Sequence, residues 1–185
     1  MNPHIEGYLL QLASNGQDLP GVAARLSTTQ FNWRPRPGRW SVGQCVEHLN
    51  ITTERSLPVL LSAIEAGRAA GRLHPGPFTL GLFERWFLRS LEPPPRRRVR
   101  TPALFTPGGP LDVETTLARW LRLQDRFAEA IRAADGLNLR ALRVRSQFGP
   151  VSFTLDGTFA VLLAHQRRHV WQARAVRTAP DFPPA

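Results

Sequence analysis

An all-α fold, a four-helix bundle with a short additional helix and long Pro/Gly-rich loops, is what this sequence predicts. Three observations predict it. Apolar residues recur at spacings of three and four along most of the chain, proline and glycine clusters separate the periodic stretches, and no convincing sheet pattern of alternating residues is present. The 185 residues, 42% of them hydrophobic, are enough for one core, so residues 1–185 read as a single domain.

The first helical stretch, about residues 3–26, carries Ile5, Leu9, Leu12, Val22 and Leu26 on one side and is expected to be interrupted near Asn15-Gly16 and at Pro20. The second begins at Ser41, where Ser41 and Gln44 stand at the spacing of a capping box and Trp40 and Cys45 at that of a hydrophobic staple. Val42, Val46, Leu49, Leu57, Leu60 and Ile64 then recur toward Gly67, with Pro58 expected to kink the helix. A shorter helix over about 80–91 carries Leu80, Phe83, Phe87 and Leu91 and stops at Pro93-Pro94-Pro95. Residues 111–134 read as an amphipathic helix with Leu117, Leu121, Phe127 and Ile131 inward and Arg119, Arg122 and Arg126 outward. Residues 139–153 hold two short extended pieces at most, around a turn at Gln147-Phe148-Gly149-Pro150. The last helix, 155–177, has Leu155, Phe159, Leu162, Gln166, His169, Ala173 and Val176 as its inward stripe, and Asp156 in its first turn complements the helix dipole.

Composition excludes several classes. A single cysteine, Cys45, makes no internal disulfide and there is no CxxC pair, so disulfide scaffolds and thiolate zinc clusters fall away. No apolar run approaches the ~18 residues that cross a bilayer, and residues 1–10 lack the features of a signal peptide. The expectation is a soluble cytoplasmic protein with no membrane partner. All 24 basic residues are arginine, against 14 acids, for a net charge of +10, with most of the excess after residue 95. Arg96, Arg97, Arg98 and Arg100 in a loop, and Arg119, Arg122 and Arg126 on a helix, raise a nucleic-acid reading. No recognised nucleic-acid motif accompanies them, and aromatics are not interleaved with them, so a solvated face is the stronger reading.

His165 and His169, four residues apart on a helix, project from one face with Cβ atoms about 6 Å apart. Two imidazoles at that spacing suit one metal ion but make a weak site alone. His48 lies beside the apolar stripe of the second helix, which can face the last helix across the core. His4 and His74 read as surface residues.

The stretch Asn32-Trp33-Arg34-Pro35-Arg36-Pro37-Gly38-Arg39-Trp40-Ser41, continuing to His48-Leu49, and the segment His165-Gln166-Arg167-Arg168-His169-Val170-Trp171-Gln172, resemble the two signatures of the DinB-like superfamily. The resemblance covers most of the chain. It implies a four-helix bundle with one divalent metal, commonly zinc or nickel, held by His48, His165 and His169. It also implies activities that include thiol-dependent transfer and isomerisation with low-molecular-weight thiols, and frequent homodimers.

Three neutral histidines leave an ion its full charge and an open position, as catalytic sites require. The segment reads HQRRH rather than HExxH, so a metalloprotease general base is missing. Glu47 points about 100° away from His48 and reads as a surface group. Gln172 is placed to orient a ligand or to edge the helix. Cys45 reads as a small buried hydrophobe more than a nucleophile, and Trp33, Trp40 and Trp171 as packing residues. Of Arg167 and Arg168, at most one approaches an anionic substrate. The expected function is a metal-dependent transferase acting with a small thiol substrate. The alternatives are a metal-dependent hydrolase and a non-catalytic, metal-stabilised scaffold with an arginine-rich nucleic-acid-binding face.

Overall fold

The computed structural model describes residues 1–94, 100–147 and 151–184. The Arg96–Arg98 cluster and the Phe148-Gly149-Pro150 turn therefore lie outside the described residues. Six α-helices are present among those described: α1 (Pro3–Ala23), α2 (Thr28–Asn32), α3 (Val42–Ala69), α4 (Leu82–Leu91), α5 (Val113–Ala133) and α6 (Leu155–Arg177). Strands β1 (Arg143–Arg145) and β2 (Ser152–Thr154) form an antiparallel pair with Val144 opposite Phe153. Helices α1, α3, α5 and α6 form the bundle, with α1 and α3 each packed against both α5 and α6.

Side-chain bonds give the directions of the helices. Tyr8 reaches Asp156, Asn15 reaches Leu163 and Arg174 reaches Asp18, so α1 and α6 run parallel. Asn50 reaches Thr116 and Arg68 reaches Ala133, so α3 and α5 are parallel too. Trp120 reaches Gly16 while Asn2 reaches Asp135, which sets α1 antiparallel to α5. The succession is up, down, down, up. Because α3 and α5 point the same way, residues 70–112 must carry the chain back along the bundle. That crossover holds α4, which packs on α6, and a 3-10 turn (Ala103–Phe105), which packs on α3.

Sequence and structure differ along α1, which runs unbroken through Asn15, Gly16 and Pro20. Asn15 is buried and donates to the Leu163 carbonyl (3.1 Å) and to Gln166 (3.2 Å), so its polar side chain is satisfied inside the bundle. Pro20 removes the amide that would bond the Gly16 carbonyl. The Trp120 indole N–H donates to that carbonyl instead, at 3.3 Å. In α5 Phe127 and Ile131 are buried as expected, but Leu121 is 51% exposed, because the inward stripe is 116, 120, 123, 124, 127, 130 and 131. Arg119 is not a free outward charge but pairs with Glu47 and Glu54 of α3. Helix α3 starts at the Ser41–Gln44 capping box and continues through Pro58. Helix α2, with its own capping box at Ser27 and Gln30, was not expected from the sequence.

The start of α6 is held from two sides. On one, Asp156 is fully buried and accepts from the Tyr8 hydroxyl (2.7 Å) while pairing with His4, so His4 is not the surface residue its terminal position suggests. On the other, Glu84 of α4 accepts from the amide and the hydroxyl of Thr154, both at 2.8 Å. Burial works against the Glu84 carboxylate, but the Thr154 and Gly81 donors and the charge of Arg143 outweigh it and hold its pKa below the ordinary value. Gly157 leaves the room this requires, since a Cβ there would overlap the Glu84 carboxylate. Gly157→Ala is expected to lower unfolding stability by about 1–3 kcal/mol through overpacking. In the Glu84→Ala background the same substitution should cost clearly less, which denaturant unfolding of the four proteins of that double-mutant cycle will measure.

Candidate metal centre

His48 sits in the second turn of α3, where the capping box fixes the start of the helix and the apolar neighbours Val46 and Leu49 turn this face inward. It is 2% exposed. Its Nδ1–H donates to the Phe105 carbonyl at 2.7 Å, which places the proton on Nδ1 and leaves a lone pair on Nε2. Phe105 is buried in the 3-10 turn, with the Arg55 guanidinium 5.8 Å above its ring. From the neighbouring helix α6 come His165, half-buried, and His169, buried.

The three Nε2 atoms converge. His165 Nε2 lies 3.1 Å from His48 Nε2 and 3.1 Å from His169 Nε2, and ligand atoms of all three residues lie within 4.8 Å of one another. Among the described residues this is the one group of three or more His, Cys, Asp or Glu side chains so placed. Trp40 covers the cluster, its ring stacked on His169 (centroids 5.5 Å, 24°) and tilted over His48 (4.8 Å). The indole thus restricts both rings and shields them from water.

All three imidazoles have depressed pKa values. Burial lowers His48, partly opposed by its bond to Phe105. Burial, then the charges of His48 and Arg168, hold His165 well below the usual histidine value. Burial, then the charges of His165, His48 and Arg168, do the same for His169, with Gln172 opposing. Neutral imidazoles meet a problem at this spacing. His48 Nε2 carries no proton, and His165 Nε2 either donates to one neighbour or accepts from one, so at most one of the two 3.1 Å contacts is a good hydrogen bond. A single cation placed among the three lone pairs satisfies all of them. Nitrogens 3.1 Å apart also suit two ligands that share one ion at about 2.0–2.1 Å each. The residues present therefore fit a first-row divalent ion.

The other expected site residues fall into place. Cys45 is fully buried, and burial pushes its thiol far above the ordinary value, so it packs as a hydrophobe and is no ready nucleophile. Gln172 acts on His169. Glu47 is half-buried and engaged by Arg119 rather than a free surface group. His74 is exposed, as expected. The sequence did not disclose the Phe105 carbonyl, since a backbone acceptor carries no residue signature. Trp40, read from the sequence as a packing residue, packs on two of the three rings.

The sequence profile of the DinB superfamily matches residues 11–173. The chain belongs to the DinB superfamily. A solved structure, YfiT from Bacillus subtilis, is similar to it over 94% of this chain and 85% of that one, with a TM-score of 0.62 and 15% sequence identity. YfiT is described as a probable metal-dependent hydrolase with an unusual four-helix bundle topology. At that identity the likeness shows the shared DinB-like fold. No curated protein matches the sequence. No helix of this DinB-like chain is long and apolar enough to cross a membrane among the described residues.

The histidine shifts have a pH consequence. An unfolded histidine takes up its proton near pH ~6.5, and these three take theirs up only at lower pH when folded. The unfolded state therefore binds more protons as pH falls below ~6.5, and metal-free protein loses stability until the folded values are reached. The melting temperature of metal-free protein is expected to fall between pH 7 and 5, and replacing His165 and His169 together by Ala should flatten that slope. An unchanged slope in the double variant would contradict the neutral cluster.

Proposed function

We propose that this DinB-family protein is a metal-dependent enzyme in which His48, His165 and His169 hold one divalent transition-metal ion, zinc or nickel, and that it transfers a group to or from a low-molecular-weight thiol. The observation that carries the metal reading is the convergence of three neutral Nε2 atoms at 3.1 Å, with the tautomer of His48 set by the Phe105 carbonyl. When bound, an ion on three neutral ligands supplies Lewis acidity that favours the deprotonated form of a small nucleophile and stabilises negative charge on an electrophile.

The chain's own residues do the rest. Phe105 fixes the proton of His48 on the side away from the cluster, and Trp40 keeps water from the buried side of the rings. The half-buried His165 marks the side from which a substrate approaches. Among the described residues no carboxylate is found with the groups that shift the three histidines, so no carboxylate is assigned as a base. The pKa of a thiol and of water alike would fall on a bound ion, and the thiol starts from the lower value, near ~8.5 against ~15.7 for water, so it needs less help to ionise.

Hydrolysis is the second reading, favoured by the similarity of the fold to YfiT, itself described as a probable metal-dependent hydrolase. Elemental analysis of tag-free protein tests the shared premise: about one ion per chain in the wild type and close to none in His48→Ala or His169→Ala, whose helices alanine preserves. Turnover of an electrophile only when a small thiol is present favours transfer, and turnover in water alone favours hydrolysis. A wild type that stays metal-free after reconstitution with zinc, nickel and manganese would overturn both.

A further inference from the structure

Among the described residues the large apolar side chains left in solvent are scattered along the chain, except on α4, where three fall between positions 82 and 86. Leu82 is 78% exposed, Phe83 50% and Trp86 65%. At about 100° per residue they share one side of the helix with Arg85 and Arg89, both exposed. Round the helix the order is Phe83, Trp86, Leu82, Arg89, Arg85, so an apolar ridge runs beside a cationic one. The acid of α4, Glu84, is turned inward to Gly81 and Thr154, and Glu92 just beyond the helix pairs with Arg167. Among the described residues neither Arg85 nor Arg89 has an acidic partner.

Single exposed apolar residues are ordinary, whereas a contiguous patch marks a contact surface. This one is braced from below. The Phe83 ring packs against Trp86 (centroids 6.0 Å), Phe87 (6.2 Å) and Phe153 of β2 (5.9 Å), and the Ser90 hydroxyl donates back to the Phe87 carbonyl at 2.6 Å. Three such partly exposed side chains offer roughly 300–400 Å² of apolar surface, well short of the ~800 Å² per partner of a stable protein interface. A second copy in an isologous contact brings the same two arginines of each chain into one patch, where they repel. A bilayer asks for neither that area nor a matched shape. It takes Trp, Phe and Leu at headgroup level, and acidic headgroups answer the arginines. No membrane-spanning segment is needed, because a surface helix lies in the plane of the interface.

We propose that α4 docks this protein on an anionic membrane surface, with Leu82, Phe83 and Trp86 entering the headgroup layer and Arg85 and Arg89 on the lipid phosphates. The ligand class is an acidic phospholipid presented in a bilayer. Helix α4 packs on α6, so docking holds the helix that carries His165 and His169 close to the membrane. The docking does not depend on whether those histidines hold a metal.

The test sediments the full, tag-free chain with vesicles of phosphatidylcholine alone or of phosphatidylcholine mixed with phosphatidylserine. Wild type is expected to bind the mixed vesicles about tenfold more tightly, with the difference shrinking as salt rises. Leu82→Ala with Trp86→Ala should weaken that binding about tenfold at an unchanged melting temperature, since both side chains stand in solvent. Arg85→Gln with Arg89→Gln should weaken it by a similar factor. The same neutralisation on α5, Arg122→Gln with Arg126→Gln, should cost much less, which separates docking by α4 from attraction by net charge. No binding to the mixed vesicles, equal binding to both kinds, undiminished binding in either α4 variant, or an equal loss in the α5 variant would each overturn the proposal. So would a wild type that is dimeric in the analytical ultracentrifuge and becomes monomeric with Leu82→Ala and Trp86→Ala, because a second copy would then cover this face.

Discussion

Three neutral imidazoles that bring their Nε2 atoms to within 3.1 Å in steps, inside a buried corner of a bundle, offer a place for a positive centre among them. That constraint organises the account of this protein. Hydrogen bonding satisfies only one of the two contacts, and protonating a ring is opposed by burial and by the neighbouring charges. The Phe105 carbonyl makes the demand sharper, because it holds the His48 proton on Nδ1 and leaves Nε2 with nothing but a lone pair to offer. A fixed tautomer of this kind is the usual outer support of a metal-ligating histidine.

The up-down-down-up course of the bundle supplies the means. Antiparallel packing of α3 on α6 sets His48 opposite His165 and His169, so the three imidazoles come from two helices rather than from loops. Parallel α3 and α5 force the crossover 70–112, and that segment delivers the Phe105 carbonyl to His48 and packs α4 on α6. Helix α6 is in turn held at its start by Asp156 on the α1 side and Glu84 on the α4 side. Precision at the centre therefore depends on contacts several turns away.

Much of this was legible in the sequence, and the rest was not for physical reasons. Long amphipathic periods disclosed α3, α5 and α6, and the Ser41–Gln44 spacing located the start of α3. The three histidines were readable because helical spacing pairs His165 with His169, and resemblance to a family added His48. Local propensity misjudged α1, where tertiary partners replace what Pro20 and Asn15 take away: the Trp120 indole bonds the orphaned Gly16 carbonyl. It placed Leu121 of α5 inward where Trp120 is, because both are apolar and only packing decides which is inside. His4 was misread as a surface residue, since its partnership with Asp156 joins residues 152 positions apart. Helix directions, and with them the crossover that carries Phe105, have no local signature at all.

The centre's electrical character follows from the same arrangement. Its three imidazoles carry no charge, and Glu47 and Glu92 are paired with Arg119 and Arg167. X-ray absorption at the zinc edge of the loaded, tag-free protein tests the central claim most directly. The account predicts a first shell with three imidazole nitrogens at about 2.0–2.1 Å and a light atom from solvent in the remaining position. A sulfur neighbour at about 2.3 Å, which would bring in Cys45, or a shell with fewer than three imidazoles, would contradict it.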